Sequence, residues 1–253
     1  MTEPHFLKRL LVLLHTVVII IGTVISTFIF AVLAILVSFF SKNGDGVHQV
    51  ARVWGRSILW ISLVPVDIFG IENIDPRRSA IYMCNHQSNF DIPVLLSKLP
   101  VQFRWLAKAE LFKIPIFGRG MRGAGYISID RSNRKSAFKS LTAAARIIRE
   151  GTSVLVFPEG TRSRDGKLQS FKKGGFVLSV DAGVPVVPLV IRGTHAIMPR
   201  NTLLIRRQAV RIDILPPVET GQYSRKTKND LMNRVYTVMA EAIQTEPEGP
   251  THA

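Results

Sequence analysis

The chain is short of cysteine and of acid. One cysteine, Cys84, stands in 253 residues. A disulfide within the chain is therefore impossible, and a zinc ribbon has too few ligands. Asp and Glu number 18 against 33 Lys and Arg, a net charge of +15. Such a balance points to an anionic partner: nucleic acid, an anionic membrane surface or a phosphorylated substrate. Charge of either sign is missing between Arg9 and Lys42. The Walker phosphate loop G-x-x-x-x-G-K-[ST] and the nucleophile elbow G-x-S-x-G are both absent. No internal repeat is visible.

What is present is unevenly placed. Lys98 to Arg211 holds 22 basic and 6 acidic residues, whereas the outer parts together hold 11 and 12. The basic surplus belongs to the middle of the chain.

The uncharged stretch "LLVLLHTVVIIIGTVISTFIFAVLAILVSFFS" exceeds the roughly 20 residues that cross a bilayer core. It is too long for a signal-peptide core. It reads as a membrane anchor, in one of two forms. One is a single long tilted span. The other is a two-helix hairpin that breaks near Gly22 or Ser26-Thr27 and returns to the side it entered from. Basic residues flank both ends, and the basic body favours the cytoplasmic side. The expected location is the inner (cytoplasmic) membrane, with the remaining domain on its cytoplasmic face. After the turn-rich "SKNGDG", Val50, Val53, Trp54, Ile58 and Ile61 fall at helical spacing. Trp54 and Trp60 suit a membrane interface. An ordinary amphipathic helix lying on the core reads the same residues equally well.

Beyond residue 64 the pattern alternates. Strands are expected at 79–84, 101–108, 126–130, 153–160, 184–193 and 209–215. Helices are expected at 91–99, 136–151, 174–183 and 228–246. This predicts an α/β fold: a mixed, largely parallel central sheet flanked by helices. Two parts are expected, membrane-embedded and interfacial helices over 1–63 and an α/β catalytic domain over 64–253.

Three stretches carry chemistry. In "NHQSNFD", His86 and Asp91 are five apart. On one helix they would point about 140° apart, and on one strand to opposite faces. They meet only if the chain turns between them. A strand ending at Cys84, a turn over Gln87, Ser88 and Asn89, and a helix opening near Asp91 supply that corner, with Ser88 and Asn89 as caps. Asp91 would then fix one ring nitrogen of His86 and leave the other as a base. Cys84 reads as a buried strand residue, and Ser88 lacks an elbow. The base therefore has no protein nucleophile to activate and would act on a hydroxyl of the substrate. Spacing alone leaves a packing role for His86 equally open. In "FPEGTRSR" (157–164), Gly160, Thr161, Arg162 and Arg164 follow a buried strand and suit a phosphate. In the region 107–131, Lys108, Lys113, Arg119, Arg122 and Arg131 read mostly as surface charge, and Arg131, which follows a strand end, is the best site candidate.

Together these stretches resemble the glycerolipid acyltransferase family, most closely its bacterial 1-acylglycerol-3-phosphate (lysophosphatidic acid) members. "NHQSNFD" matches the family's N-H-x-x-x-x-D box. "GYISIDR" resembles its second block, with Ser128 where Phe is frequent. "FPEGTRSR" and "VPVVPLVI" match the third and fourth blocks in order. The resemblance covers about residues 79–193. It implies that His86 is the general base on the sn-2 hydroxyl of lysophosphatidic acid, oriented by Asp91, with phosphatidic acid as product. It implies that Arg131, Glu159, Gly160, Thr161 and Arg162 bind the glycerol phosphate, and that Lys108 holds phosphate or the developing oxyanion. Acyl-CoA or acyl-carrier protein would be the donor, with no cofactor and no metal. Partners would be lysophosphatidic acid and an anionic membrane, and no nucleic acid. Two other readings stay open: the same chemistry on another lysophospholipid or a lyso-ornithine lipid, and a non-catalytic lipid-binding membrane protein.

Overall fold

A computed structural model describes residues 3–130 and 134–245. Its centre is a seven-stranded sheet of β1 (Val66–Phe69), β2 (Ile81–Cys84), β3 (Arg104–Lys108), β4 (Ile127–Ile129), β5 (Val154–Val156), β6 (Val186–Arg192) and β7 (Val210–Ile214). The strand order is β1-β7-β6-β2-β5-β3-β4. Every neighbouring pair is parallel except β6 with β7. The expected mixed, largely parallel sheet is observed.

The central strands are apolar on both faces because both faces are covered. Tyr82, Cys84, Leu155, Val187 and Leu189 point to one side, where α1 (Glu3–Ser38), α2 (Asp45–Ser62) and α3 (Asp91–Lys98) pack. Ile81, Met83, Val154, Val156 and Val190 point to the other, under α5 (Arg134–Arg149), α6 (Gly174–Ala182) and α8 (Lys228–Gln244). Two further short helices, α4 (Phe117–Gly123) and α7 (Thr194–Ile197), lie at the sheet's margins.

Helix α1 runs unbroken through Gly22, Ser26 and Thr27, so the break at those residues, one of the two forms left open by the sequence, does not occur. They serve contact instead. Gly22 leaves room for Ile61, Ser26 shares a 2.7 Å hydrogen bond with Ser57, and Thr27 Oγ1 accepts one from Trp54 Nε1 at 3.1 Å. These pairs make α1 and α2 an antiparallel hairpin, with the turn at 39–44. Trp54 therefore faces inward, and only Trp60 stands out from the surface, 79% exposed. The hairpin is no detachable unit: Ile19, Ile58 and Leu59 join the core of the α/β domain.

Strand β1 and helices α4 and α7 were not legible in the sequence. β1 is a four-residue edge strand containing Asp67. α4, "FGRGMRG", has three glycines, a composition that disfavours helix. Contact explains it. Gly120 lies against Ala34, Gly123 against Ser38, and Gly118 directly beneath the Phe112 carbonyl. A side chain at Gly123 would push α4 off α1, and one at Gly118 would strike the Phe112 carbonyl.

Gly55 does the same where α2 crosses α3. A Cβ added there would sit 2.8 Å from the Pro93 carbonyl oxygen and 3.1 Å from Leu96 Cβ. Gly55→Leu is expected to cost about 1–3 kcal/mol by overpacking, read as a lower midpoint in thermal unfolding of the detergent-solubilised protein.

Candidate active site

The corner after β2 is made by side chains that replace lost ladder bonds. Asn85 donates from Nδ2 to the Ile191 carbonyl at 2.9 Å and accepts the Ile191 N–H at 2.7 Å. This ties the chain to β6 as it leaves the sheet. Gln87 donates to the Gly166 carbonyl at 2.7 Å, and Ser88 Oγ to the Met198 carbonyl at 2.8 Å. Neither Ser88 nor Asn89 caps α3 by its side chain. Ser88 Oγ instead accepts the Phe90 N–H at 3.2 Å. The site lies at the carboxyl ends of parallel strands, where open α/β sheets hold ligands.

Asp91 opens α3 and is fully buried. Its Oδ2 lies 2.7 Å from His86 Nδ1 and also accepts the N–H groups of Gln87 (2.7 Å) and Ser88 (2.9 Å). A carboxylate used only as acceptor assigns the proton to Nδ1, which leaves the Nε2 lone pair able to take a proton. Nε2 has no protein partner among the described residues. The imidazole lies flat on Phe157, with ring centroids 3.8 Å apart and planes at 9°. Trp105 stacks on the far side of Phe157 at 5.4 Å. Asn85 and Phe157 were missed as site residues. Both stand inside the quoted motifs, and that adjacency was the available signal.

The second motif is tied to the first through the backbone. The Ser163 N–H donates to the His86 carbonyl at 2.7 Å. Glu159 does not face the solvent beside the arginines, as a phosphate-binding role would suggest. It is 2% exposed and turned inward. Its Oε1 accepts the His86 N–H at 2.7 Å and its Oε2 the Gln169 N–H at 3.1 Å. A carboxyl group placed there pins two loops together. Burial pushes its pKa up to about 7; the two backbone donors oppose the rise and the nearby Asp91 charge adds to it.

One cavity of about 330 Å³ ends at His86. Gly160, Thr161, Arg162 and Lys108 border it together with His86. Its other walls are apolar, among them Ala34 of α1, Val50 of α2 and Met121 of α4. Lys108 is exposed and pairs with Glu110 at 3.3 Å. Arg131 lies outside the described residues. Cys84 is fully buried, and burial holds its thiol well above the ordinary range, with Asp91 and Glu159 adding to the effect. It offers no ready thiolate. Among the described residues no three His, Cys, Asp or Glu side chains gather to hold a metal ion.

A histidine paired with a buried carboxylate, no activated nucleophile among the described residues and an apolar cavity at hand are the features of a site suited to acyl transfer. The comparisons agree with that class. The acyltransferase family model matches residues 65–192. The 1-acyl-sn-glycerol-3-phosphate acyltransferase of Limnanthes douglasii is 34% identical over 204 residues, covering 79% of this chain and 72% of the relative. That of Haemophilus influenzae is 32% identical over 211 residues, covering 80% and 83%. The crystal structure of the 1-acyl-sn-glycerophosphate acyltransferase PlsC from Thermotoga maritima matches with a TM-score of 0.81. It is 28% identical and covers 96% of this chain and 100% of that one. The chain belongs to the acyltransferase family, an enzyme among the 1-acyl-sn-glycerol-3-phosphate acyltransferases.

Glu159 gives the fold a pH signature. Its ordinary value is 4.5 and its folded value about 7, so the folded protein keeps this proton to higher pH than the unfolded chain. The group's contribution to stability is complete below the lower value and is lost as pH rises through the higher one. Glu159→Gln cannot ionise, but its single carbonyl oxygen leaves one backbone N–H unpartnered. The variant is expected to be less stable than wild type by about 1–3 kcal/mol near pH 5. The gap should narrow toward about pH 8 as the wild-type carboxyl ionises. Melting curves of both proteins across that range check it.

Proposed function

We propose that this enzyme transfers a fatty acyl group from an acyl thioester to the sn-2 hydroxyl of lysophosphatidic acid, giving phosphatidic acid. The 2.7 Å contact of His86 Nδ1 with buried Asp91, beside an apolar cavity, carries the reading. His86 Nε2 takes the hydroxyl proton as the oxygen attacks the thioester carbonyl. A C–O bond forms, the C–S bond breaks, and the departing thiolate recovers the proton from the imidazolium. Asp91 holds the ring's tautomer and stabilises its charged form. No acyl-enzyme is needed: the Cys84 thiol is buried, and the Ser88 hydroxyl is already engaged by the Met198 carbonyl.

Thr161 and Arg162, which border the cavity, take the acceptor's phosphate; the resemblance assigns Arg131 to the same phosphate, and Lys108 serves the phosphate or the oxyanion. Glu159 acts by holding the backbone of His86, not by touching the ligand. The cavity receives an acyl chain. Acyl-CoA and acyl-carrier protein both present the thioester this reaction needs, and no further cofactor or metal enters it.

The membrane supplies the lipid substrate. Helix α1 is long and apolar enough to cross a bilayer, at about 54 Å. It is nevertheless fastened to the domain along its length. Thr16 Oγ1 accepts the Ile205 N–H at 3.0 Å near one end, and Ser38 lies under Gly123 at the other. A crossing would drag the charged domain into hydrocarbon, at a cost of several kcal/mol for each unpaired polar group. The hairpin therefore lies in one leaflet, its outward Leu, Val and Ile side chains in the acyl region. The basic body then faces the anionic headgroups of the cytoplasmic leaflet.

The test is transfer from a labelled acyl thioester by purified membranes, with lysophosphatidic acid beside other lysophospholipids and lyso-ornithine lipid. Transfer to lysophosphatidic acid is expected, and His86→Ala should lower its rate by about 10²–10⁴-fold in protein that still folds. Transfer only to another lysolipid would keep the mechanism and change the acceptor. Full activity in His86→Ala would remove the mechanism. Val50→Phe, at a half-buried wall position, should narrow the cavity and move donor preference to shorter chains. Product profiles from mixed-length donors check it.

A further inference from the structure

Helix α5 has an outer face that the reaction above does not use. Lys135, Phe138, Lys139, Thr142, Arg146 and Arg149 are all exposed and recur at intervals of three or four, the spacing of one helical stripe. Lys135 and Lys139 have no carboxylate partner among the described residues. The exposed acid on this face is Glu150, at its far end, paired with Arg146 at 3.1 Å. Phe138 is 51% exposed amid the cations, with the Arg225 guanidinium over its ring at 5.4 Å.

We propose that this face of α5 docks the acyl donor in its protein-borne form, a small acidic carrier protein holding the acyl chain as a phosphopantetheine thioester. The inference rests on the acyl-transfer reading and names which donor that reaction takes. Three observations carry it. First, the stripe cannot serve the bilayer that holds α1. The hairpin packs on one face of the sheet and α5 on the other, with the sheet between them. Second, its shape suits a protein. From Lys135 to Arg149 the cations extend about 21 Å, the length of an acidic helix laid alongside. Half-exposed Phe138 adds the aromatic anchor that protein contacts favour. Third, it starts beside the chemistry. β2 and β4 run parallel through β5 and β3, so their carboxyl ends share one edge of the sheet. Lys135 and Lys139 lie at the start of α5, which follows β4, and β4 is three strand spacings from β2, about 14 Å across the sheet. A flexible thioester arm rounds that edge, covering this width and the depth of the α5 layer, to reach His86.

The experiment uses the full chain in detergent micelles. Wild type is compared with Lys135→Glu/Lys139→Glu/Arg146→Glu and with the matching triple Gln variant. Binding of a fluorescent acyl-loaded carrier protein is followed by anisotropy, and transfer is measured from acyl-carrier protein and from acyl-CoA. The Glu variant should lose at least tenfold in carrier affinity and in kcat/KM with acyl-carrier protein, and the Gln variant less. Acyl-CoA turnover and binding to anionic vesicles should stay within twofold. Unchanged carrier binding, equal loss with both donors, or loss of vesicle binding in parallel would overturn the proposal. So would a wild type that uses acyl-CoA but neither binds nor uses the carrier, a result that leaves the reaction intact. Carrier binding that the Glu variant loses, with no transfer to any lysolipid by wild type, would support the docking face and overturn the reaction.

Discussion

Asp91 Oδ2 accepts from the His86 ring and from the N–H groups of Gln87 and Ser88. The corner between β2 and α3 has the shape that this oxygen imposes. Those two backbone donors have no ladder to join once the chain leaves the sheet, and unpaired they would each cost about 1–3 kcal/mol in the interior. The carboxylate satisfies both. It also begins a helix, where the first-turn N–H groups favour negative charge. The same atom thereby closes the turn, suits the helix end and fixes the histidine. Chemistry and folding share one group, so replacing Asp91 disturbs both together.

Around that corner the other motif acts as scaffold and borders the cavity. Phe157 carries the imidazole on its face, Glu159 holds the His86 N–H, and the Ser163 N–H takes the His86 carbonyl. Thr161 and Arg162, between those residues, border the cavity. The loop proposed to meet a phosphate is thus tied to the backbone of His86. On that proposal, acceptor and base are kept in register through the main chain.

Most of the sheet and the larger helices could be read from the sequence because each strand is a run of β-branched and apolar residues bounded by glycine, proline or polar turns. The departures have physical causes. α4 has a glycine-rich sequence that reads as loop, and its helical form comes from close contact with α1. Gly22, Ser26 and Thr27 look like a break in an apolar run, yet their small or hydroxylated side chains make a helix contact. At the site, spacing allowed His86 and Asp91 to meet only at a corner, and that corner is present. The ligand role for Glu159 came from the resemblance, and sequence does not tell an acid that faces a ligand from one that, like Glu159, accepts from backbone donors. Asn85 and Phe157 were hidden for the same reason: their work is on neighbours distant in the chain.

The α1–α2 hairpin has a further consequence. Ala34 and Val50 belong to the apolar hairpin, and they also wall the cavity that His86 lines. Removing the hairpin to obtain a less apolar protein would therefore unroof that cavity and open it to water. The most apolar surface of the protein and the wall of its cavity reside in the same two helices, so neither can be redesigned alone.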